Sequence, residues 1–479
     1  MPVPNKLALN TLARAILCAL ALSATTAATA ADDLEMAADS VADAAEDDAA
    51  LDADLDALFD VGAPAGAAAA AGSGIKWSGY AEFAAAYTLP EPDRWSRLRA
   101  RLELAGSGQL ASRARWKLTA RADADGAYDL EDQYYPDAVR RDQRTDFILR
   151  EAYVDLGHGE WEFRLGRQQI IWGEMVGFFF ADVVSARDLR EFLLPEFESL
   201  RIGQWAARAE YFGGNSHFEL VWIPKPSFDE IGKPGGDFYT FAALPANTVV
   251  TEHKPSDSLR NSNYGARISH LVDGWDLSAF YYRSYDVSPT LYEIVPSAVP
   301  GAMPAASLRH ERLHQIGATF SKDLGSFVLK GEAVHTRGRG VNTLTPAAVP
   351  GGRELGLSDT DMIDYAVGAD IPVASDWRIN TQLYGRWLDE HRIEMVSDRM
   401  ETGVTFLAVH TFSSDLEMEF LAVSSLNRSD YMLRPKLLWK LAPAWRATAG
   451  FDIFGGGGEG RLSAYDRSDR AYVELRHWF

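Results

Sequence analysis

The chain has 479 residues, a formal net charge of −21 at pH 7 and a single cysteine. A surplus of that sign disfavours nucleic-acid binding, and one thiol excludes a disulfide framework. Beyond the first thirty residues no run approaches the roughly 18 apolar residues that a membrane helix needs, so a membrane-spanning reading leaves only a closed sheet.

In chain order, Lys6 and Arg14 precede the apolar run 15–22, and the small residues Ala28-Thr29-Ala30 follow. This pattern predicts a cleaved secretory signal over residues 1–31. Cys18 lies inside that run behind Leu17, where a lipidation signal needs a small residue, so the mature chain is expected to be thiol-free. Residues 32–74 hold twelve acids and no Lys or Arg among Ala and Gly, and they read as a disordered acidic leader. Within it Leu51, Leu55, Leu58 and Phe59 fall at helical spacing, which leaves open a short docking helix.

From Ile75 the period changes to two. Trp77, Gly79, Ala81, Phe83, Ala85 and Tyr87 alternate with a more polar set, and Leu98, Ala100, Leu102 and Leu104 then alternate with Arg97, Arg99, Arg101 and Glu103. Eighteen such segments succeed one another up to Phe479, most near the 9–11 residues of a tilted membrane strand. The predicted short connections include Gly106-Ser107-Gly108, Gly157-His158-Gly159 and Val272-Asp273-Gly274; the long ones are 125–147, 171–203, 224–263, 286–311 and 337–362. Strict alternation of short turns with long loops, and charge on what would be a buried face, argue against a soluble β-sandwich. The fold expected over 75–479 is therefore all-β: a transmembrane antiparallel β-barrel of about 18 strands, located in the cell outer membrane. The last strand carries Ala471, Val473, Leu475, His477 and Phe479 on one parity, which looks like an assembly signal centred on Phe479 and read by the barrel-assembly machinery.

With the apolar parity on lipid, Arg97, Arg99, Arg101, Arg115, Lys117 and Arg121 form a basic stripe on the lumen wall. Glu151, Asp155, Glu162, Glu332, Asp364, Glu417 and Glu419 share the inward parity. Such a wall either sets a transverse field that sieves polar solutes or neutralises itself into a rigid interior. The connection 171–203 is too apolar for an exposed loop, and is expected to fold inward as a constriction. Its candidate residues are Trp172, Gly173, Glu174, Phe178, Phe179, Phe180, Asp182, Arg187, Asp188 and Arg190, with a short helix over 182–194 stopped by Pro195. No nucleophile motif is present, and His310 and His314, four apart on a strand, make a poor metal pair. No enzyme activity, cofactor or metal is therefore expected.

The stretches Leu149-Arg150-Glu151-Ala152-Tyr153-Val154-Asp155-Leu156, Arg164-Leu165-Gly166-Arg167-Gln168-Gln169-Ile170-Ile171-Trp172-Gly173-Glu174 and 182–191 resemble a domain-of-unknown-function family of Gram-negative outer-membrane β-barrel proteins. Ser185-Ala186 stands where that family's pattern has Asn-Pro. The resemblance implies company with inner-membrane transporters of the resistance-nodulation-division type, and a looser likeness to alginate-export porins implies a basic lumen. The leading expectation is an outer-membrane, porin-like channel passing or exporting a polar or anionic solute. The alternatives are an envelope component that moves lipids or hydrophobic compounds, and a non-conducting surface or adhesion barrel. Outer-membrane lipid and lipopolysaccharide are the expected surroundings.

Overall fold

The computed structural model describes residues 74–479 except 174, 176–179, 243, 296–302, 347–352 and 458–459, so the signal and acidic leader lie outside the described residues. Eighteen strands make one sheet. They are β1 (Lys76–Thr88), β2 (Arg94–Ala111), β3 (Ala114–Asp125), β4 (Thr145–His158), β5 (Trp161–Gln168) and β6 (Gln204–Gly213). Then come β7 (Ser216–Lys225), β8 (Asn263–Val272), β9 (Trp275–Tyr285), β10 (Arg312–Asp323), β11 (Val328–Pro346) and β12 (Arg353–Ala374). The last six are β13 (Trp377–Leu388), β14 (Met400–Ser413), β15 (Leu416–Ser425), β16 (Asp430–Ala442), β17 (Trp445–Gly456) and β18 (Arg470–Trp478).

Each strand pairs antiparallel with its chain neighbours, and β18 pairs antiparallel with β1, so the sheet closes and has no free edge. The closing seam includes the chain end: Gly79 N–H donates to the Phe479 carbonyl at 2.9 Å, and Phe479 N–H donates back at 3.0 Å. The Phe479 ring lies over Gly79, where a β-carbon would come within 3.1 Å of it. His477, the polar residue in an otherwise apolar series, packs on its cross-strand partner Trp445 with ring centroids 4.4 Å apart.

The turns at one end are as short as two residues. Asp273-Gly274 joins β8 to β9 with φ of 51° and 74°, the left-handed pair whose twist matches a hairpin. Long connections occupy the other end, and two of them build a small mixed sheet in which Val249–His253 runs parallel to Ala305–Arg309 and Thr290–Val295 antiparallel to it.

Three expectations about connections need correction. Gly106-Ser107-Gly108 is not a turn but part of β2, because the rings of Trp77 and Trp116 lie against Gly106 and Gly108 and fill the space that side chains would take. Residues 337–362 do not form a loop; β11 and β12 continue as a paired hairpin as far as Pro346↔Arg353. The segment 182–194 is not helical. Ala186–Arg187 pairs with Arg201–Ile202 inside the connection, and the short helix is Phe197–Leu200, beyond Pro195. Backbone pairing within the loop outweighs an approximate helical spacing interrupted by the β-branched Val183-Val184.

Candidate functional site

The connection between β5 and β6 enters the barrel and is held at widely separated points of the wall. At its root Ile170, Trp172, Ala181, Val183 and Val184 are buried against Ala206, Val221, Ile223, Phe280, Tyr282 and Val334. The Trp172 indole N–H donates to Glu219 on β7 at 3.0 Å. Beside this cluster, the Glu332 carboxylate on β11 accepts the Ala181 N–H at 3.1 Å and the Met175 N–H at 3.4 Å. Phe180 faces Tyr384 on β13 with centroids 6.0 Å apart. On the third side Leu194 packs with Val423, Met432 and Phe454 of β15–β17, and the Leu194 carbonyl accepts from Arg434 at 2.7 Å.

The charged contacts concentrate where β16, β17, β18, β1 and β2 meet. Glu191 of the loop binds Arg97, Arg99 (2.6 Å) and Arg470 (3.5 Å). Glu196 binds Arg446 at 3.2 Å and Arg476 at 2.9 Å. Glu82 on β1 joins Arg99 (3.3 Å) to Arg476 (2.7 Å), and Asp452 joins Arg434 to Arg470, both at 2.8 Å. Burial pushes the Glu196 carboxyl up, but the guanidinium groups of Arg476 and Arg446 outweigh it and hold it below the usual carboxylate range. Asp188 is held low in the same way, burial being overcome by Arg190.

The structure distributes the predicted site residues unevenly. Arg97, Arg99, Arg101 and Arg121 are all buried and face the loop or the wall beside it. Arg101 grips Asp123 through two bonds of 2.8 and 2.9 Å, and Arg121 reaches Asp123 at 3.4 Å and the Ser199 carbonyl at 3.3 Å. Arg115 stands apart, exposed towards the short-turn end, and Lys117 pairs with Glu151 at 2.8 Å. Of the inward acids, Asp155 pairs with Arg164, Asp364 with Arg386, Glu417 with Arg378 and Glu419 with Lys436, whereas Glu162 is exposed at the rim.

Within the loop, Gly173 lies against Asp182, where a β-carbon would sit 2.8 Å from the Asp182 nitrogen. Asp182 pairs with Arg201 of the same connection at 3.2 Å, the Arg187 backbone N–H donates to Asp229 at 2.7 Å, and the Arg187 guanidinium donates to the Asp182 carbonyl at 2.7 Å. Arg190 does reach the wall, binding Asp146 on β4 (2.5 Å) as well as Asp188 (2.6 Å). Glu174, Phe178 and Phe179 lie outside the described residues.

Sequence reasoning missed Glu191 and Glu196, and with them Arg434, Arg446, Arg470 and Arg476. Parity places Arg470 and Arg476 opposite the outward Ala471, Val473 and Leu475, so that half was legible; their neighbours were not, because Glu82 and Arg476 are 394 residues apart and meet only by closure. His310 and His314 are separate: His310 bonds to the Asp286 carbonyl and Glu252, while His314 bonds to the Tyr281 hydroxyl on the outer face. Among the described residues no cluster of three or more His, Cys, Asp or Glu is gathered to hold a metal.

A closed antiparallel sheet with apolar residues outward, charged residues inward and a folded-in connection defines a porin-type transmembrane β-barrel. The chain belongs to the family described as protein of unknown function DUF1302, whose profile matches residues 11–473. No curated protein matches it. Among solved structures it resembles OccK2 (OpdF) of Pseudomonas aeruginosa in complex with glucuronate, at 10% identity over 85% of this chain and 96% of that one, with a TM-score of 0.48. It also resembles Salmonella typhi OmpF in complex with daunomycin, at 12% identity over 85% and 97% with a TM-score of 0.43. A third is the anion-selective porin from Comamonas acidovorans, at 14% identity over 85% and 99% with a TM-score of 0.40. At these identities the likeness concerns the barrel fold alone.

Proposed function

We propose that the protein is an outer-membrane channel for polar, preferentially anionic, solutes, with residues 171–203 as its constriction. The observation that carries this reading is the docking of Glu191 and Glu196 onto the arginine wall. Nine guanidinium groups, those of Arg97, Arg99, Arg101, Arg121, Arg150, Arg434, Arg446, Arg470 and Arg476, face five carboxylates of the wall itself: Glu82, Glu103, Asp123, Asp452 and Glu474. The loop carboxylates Glu191 and Glu196 supply part of the missing negative charge. A solute carboxylate or phosphate competes for the same donors, since charge-assisted bonds to guanidinium groups suit any such anion. A neutral solute gains nothing from displacing the loop. Residues 1–31 serve as the export signal in this reading, and the acidic leader stays in the periplasm.

Planar-bilayer recording tests it. The wild-type barrel should conduct with anion preference, and deletion of residues 173–194 with the ends rejoined should raise conductance while assembly, which rests on strand pairing and the Phe479 seam, is kept. A deletion variant that assembles and conducts as before places the constriction elsewhere; a wild-type barrel with no conductance removes the channel reading.

A further inference from the structure

On the outward parity one row of side chains breaks the apolar pattern. Register pairs carry it across β7 to β11, from Trp222 to Tyr264, Arg283, His314 and Arg337. Arg312 lies two register pairs higher, opposite Tyr285, with its guanidinium 3.8 Å from that ring's centroid. Trp222, Tyr264, Arg283, Arg312 and His314 sit at the long-loop ends of their strands, and Arg337 lies level with them within β11, whose hairpin with β12 continues beyond it. Below the row the same outward face is mostly apolar, with Ile268, Leu277 and Ile316 exposed, His335 opposite Ile316 as a polar exception, and Tyr281 donating to or accepting from His314 at 2.9 Å.

The outward long-loop ends of β16–β18, β1 and β2 present Tyr431, Phe451, Ala471, Tyr87 and Trp95, with no cation among the described residues. The positive charge of the row is thus not repeated in that sector. It is also incompletely neutralised. Arg337 pairs with Asp361 at 3.0 Å, but Arg283 and Arg312 have no acidic partner among the described residues; Arg283 leans on Tyr264 at 5.6 Å and Arg312 donates to the carbonyls of Ser262 and Arg260, both at 3.2 Å.

An arginine on the lipid face of a barrel is costly in hydrocarbon and nearly free at the interface, so this row marks the depth at which headgroups begin. We propose that the row is a binding site for a bisphosphorylated glycolipid of the lipid A type, packed with its acyl chains along the apolar band below and its phosphates on the arginines. The ligand follows from three features. Guanidinium forks match phosphate oxygens in pairs. Arg283 and Arg337 are two strands apart, about 10 Å at the usual strand spacing, which suits two phosphates at opposite ends of a disaccharide. The long-loop end is the outward-facing end of such barrels, where the leaflet is glycolipid rather than glycerophospholipid. The inference rests on the outer-membrane reading above, and envelope fractionation tests that reading separately.

Native mass spectrometry of the full barrel in detergent, titrated with bisphosphoryl lipid A, monophosphoryl lipid A or phosphatidylglycerol, tests the site. Bisphosphoryl lipid A should bind at least about tenfold more tightly than either of the others. The triple variant Arg283→Gln, Arg312→Gln, Arg337→Gln should lose that preference, whereas Lys322→Gln at the short-turn end should keep it. Equal binding of phosphatidylglycerol by the wild type, or an unchanged preference in a triple variant that keeps its heat-modifiable folded band, overturns the site. Should the triple variant fail to fold, the wild-type comparison and Arg283→Gln alone, which should weaken the preference, take its place, and an unchanged preference in that single variant overturns the site equally. A barrel found in the outer membrane that shows no lipid preference refutes the lipid site and leaves the channel reading standing.

Discussion

The sharpest test of the loop's docking is Glu191→Gln. The substitution keeps the shape of the side chain and removes its charge, leaving Arg97, Arg99 and Arg470 without the carboxylate they share. Glu191 is 19% exposed, so the lower end of the usual penalty for breaking a buried ion pair applies, about 3 kcal/mol. Because about 1.4 kcal/mol is a factor of ten in an equilibrium, release of this limb of the loop becomes on the order of a hundredfold more frequent. Glu332 and the Trp172 cluster still hold the other limb, so the loop should loosen rather than leave the barrel. Single-channel recording should show brief high-conductance excursions that are rare in the wild type and frequent in the variant, with the same heat-modifiable folded band on a gel. A variant that assembles normally and gives traces identical to the wild type would refute the view that Glu191 restrains the loop.

Docking should also respond to acid in one direction only. The Glu196 and Asp188 carboxyls are held low by arginines, so their contribution is complete above the ordinary carboxylate range and is lost as the pH falls below that range towards their lowered values. Conductance should therefore stay constant from pH 8 to about 5 and rise only below about pH 4, as judged from the unperturbed Asp and Glu values; a rise centred near pH 6 would contradict this. Leu102→Arg, on the outward face opposite Ala81 and Ala122, should cost about 2–4 kcal/mol if it lies near the midplane, whereas the exposed lumenal Arg115→Leu should cost little. Comparable loss of folded barrel in the two would invert the parity. Gly317→Ala drives a methyl into the Phe280 ring, which packs on Trp172 with centroids 5.2 Å apart, and should lower the urea midpoint by an overpacking cost of about 1–3 kcal/mol. An unchanged midpoint would mean that this inner cluster yields freely.

Much of the barrel could be read directly because its code is local. A strand that faces lipid on one side and the lumen on the other must alternate, and Leu98 to Leu104 against Arg97 to Glu103 does so whatever the remaining strands do. The eighteen segments were legible in that way, and the apolar run after Trp172 pointed the connection inward. The turn misplaced at Gly106 shows where the local code fails: glycine in a strand reads as a break, and only the cross-strand Trp77 reveals that an aromatic ring occupies the vacant space.

What the sequence could not decide was which charges meet. Inward parity names Arg99, Glu82 and Arg476 as candidates, but a period of two carries no information about the distance between β1 and β18, and closure brings together residues from opposite ends of the chain. The partners of the loop depended likewise on how far it reaches. Asp182 found Arg201 within the connection itself, while Glu191 and Glu196 took the arginines of the wall. Alternation is set residue by residue through contact with lipid or lumen, whereas ion pairing is set by the curvature and closure of the whole sheet, and that is a property of the tertiary structure alone.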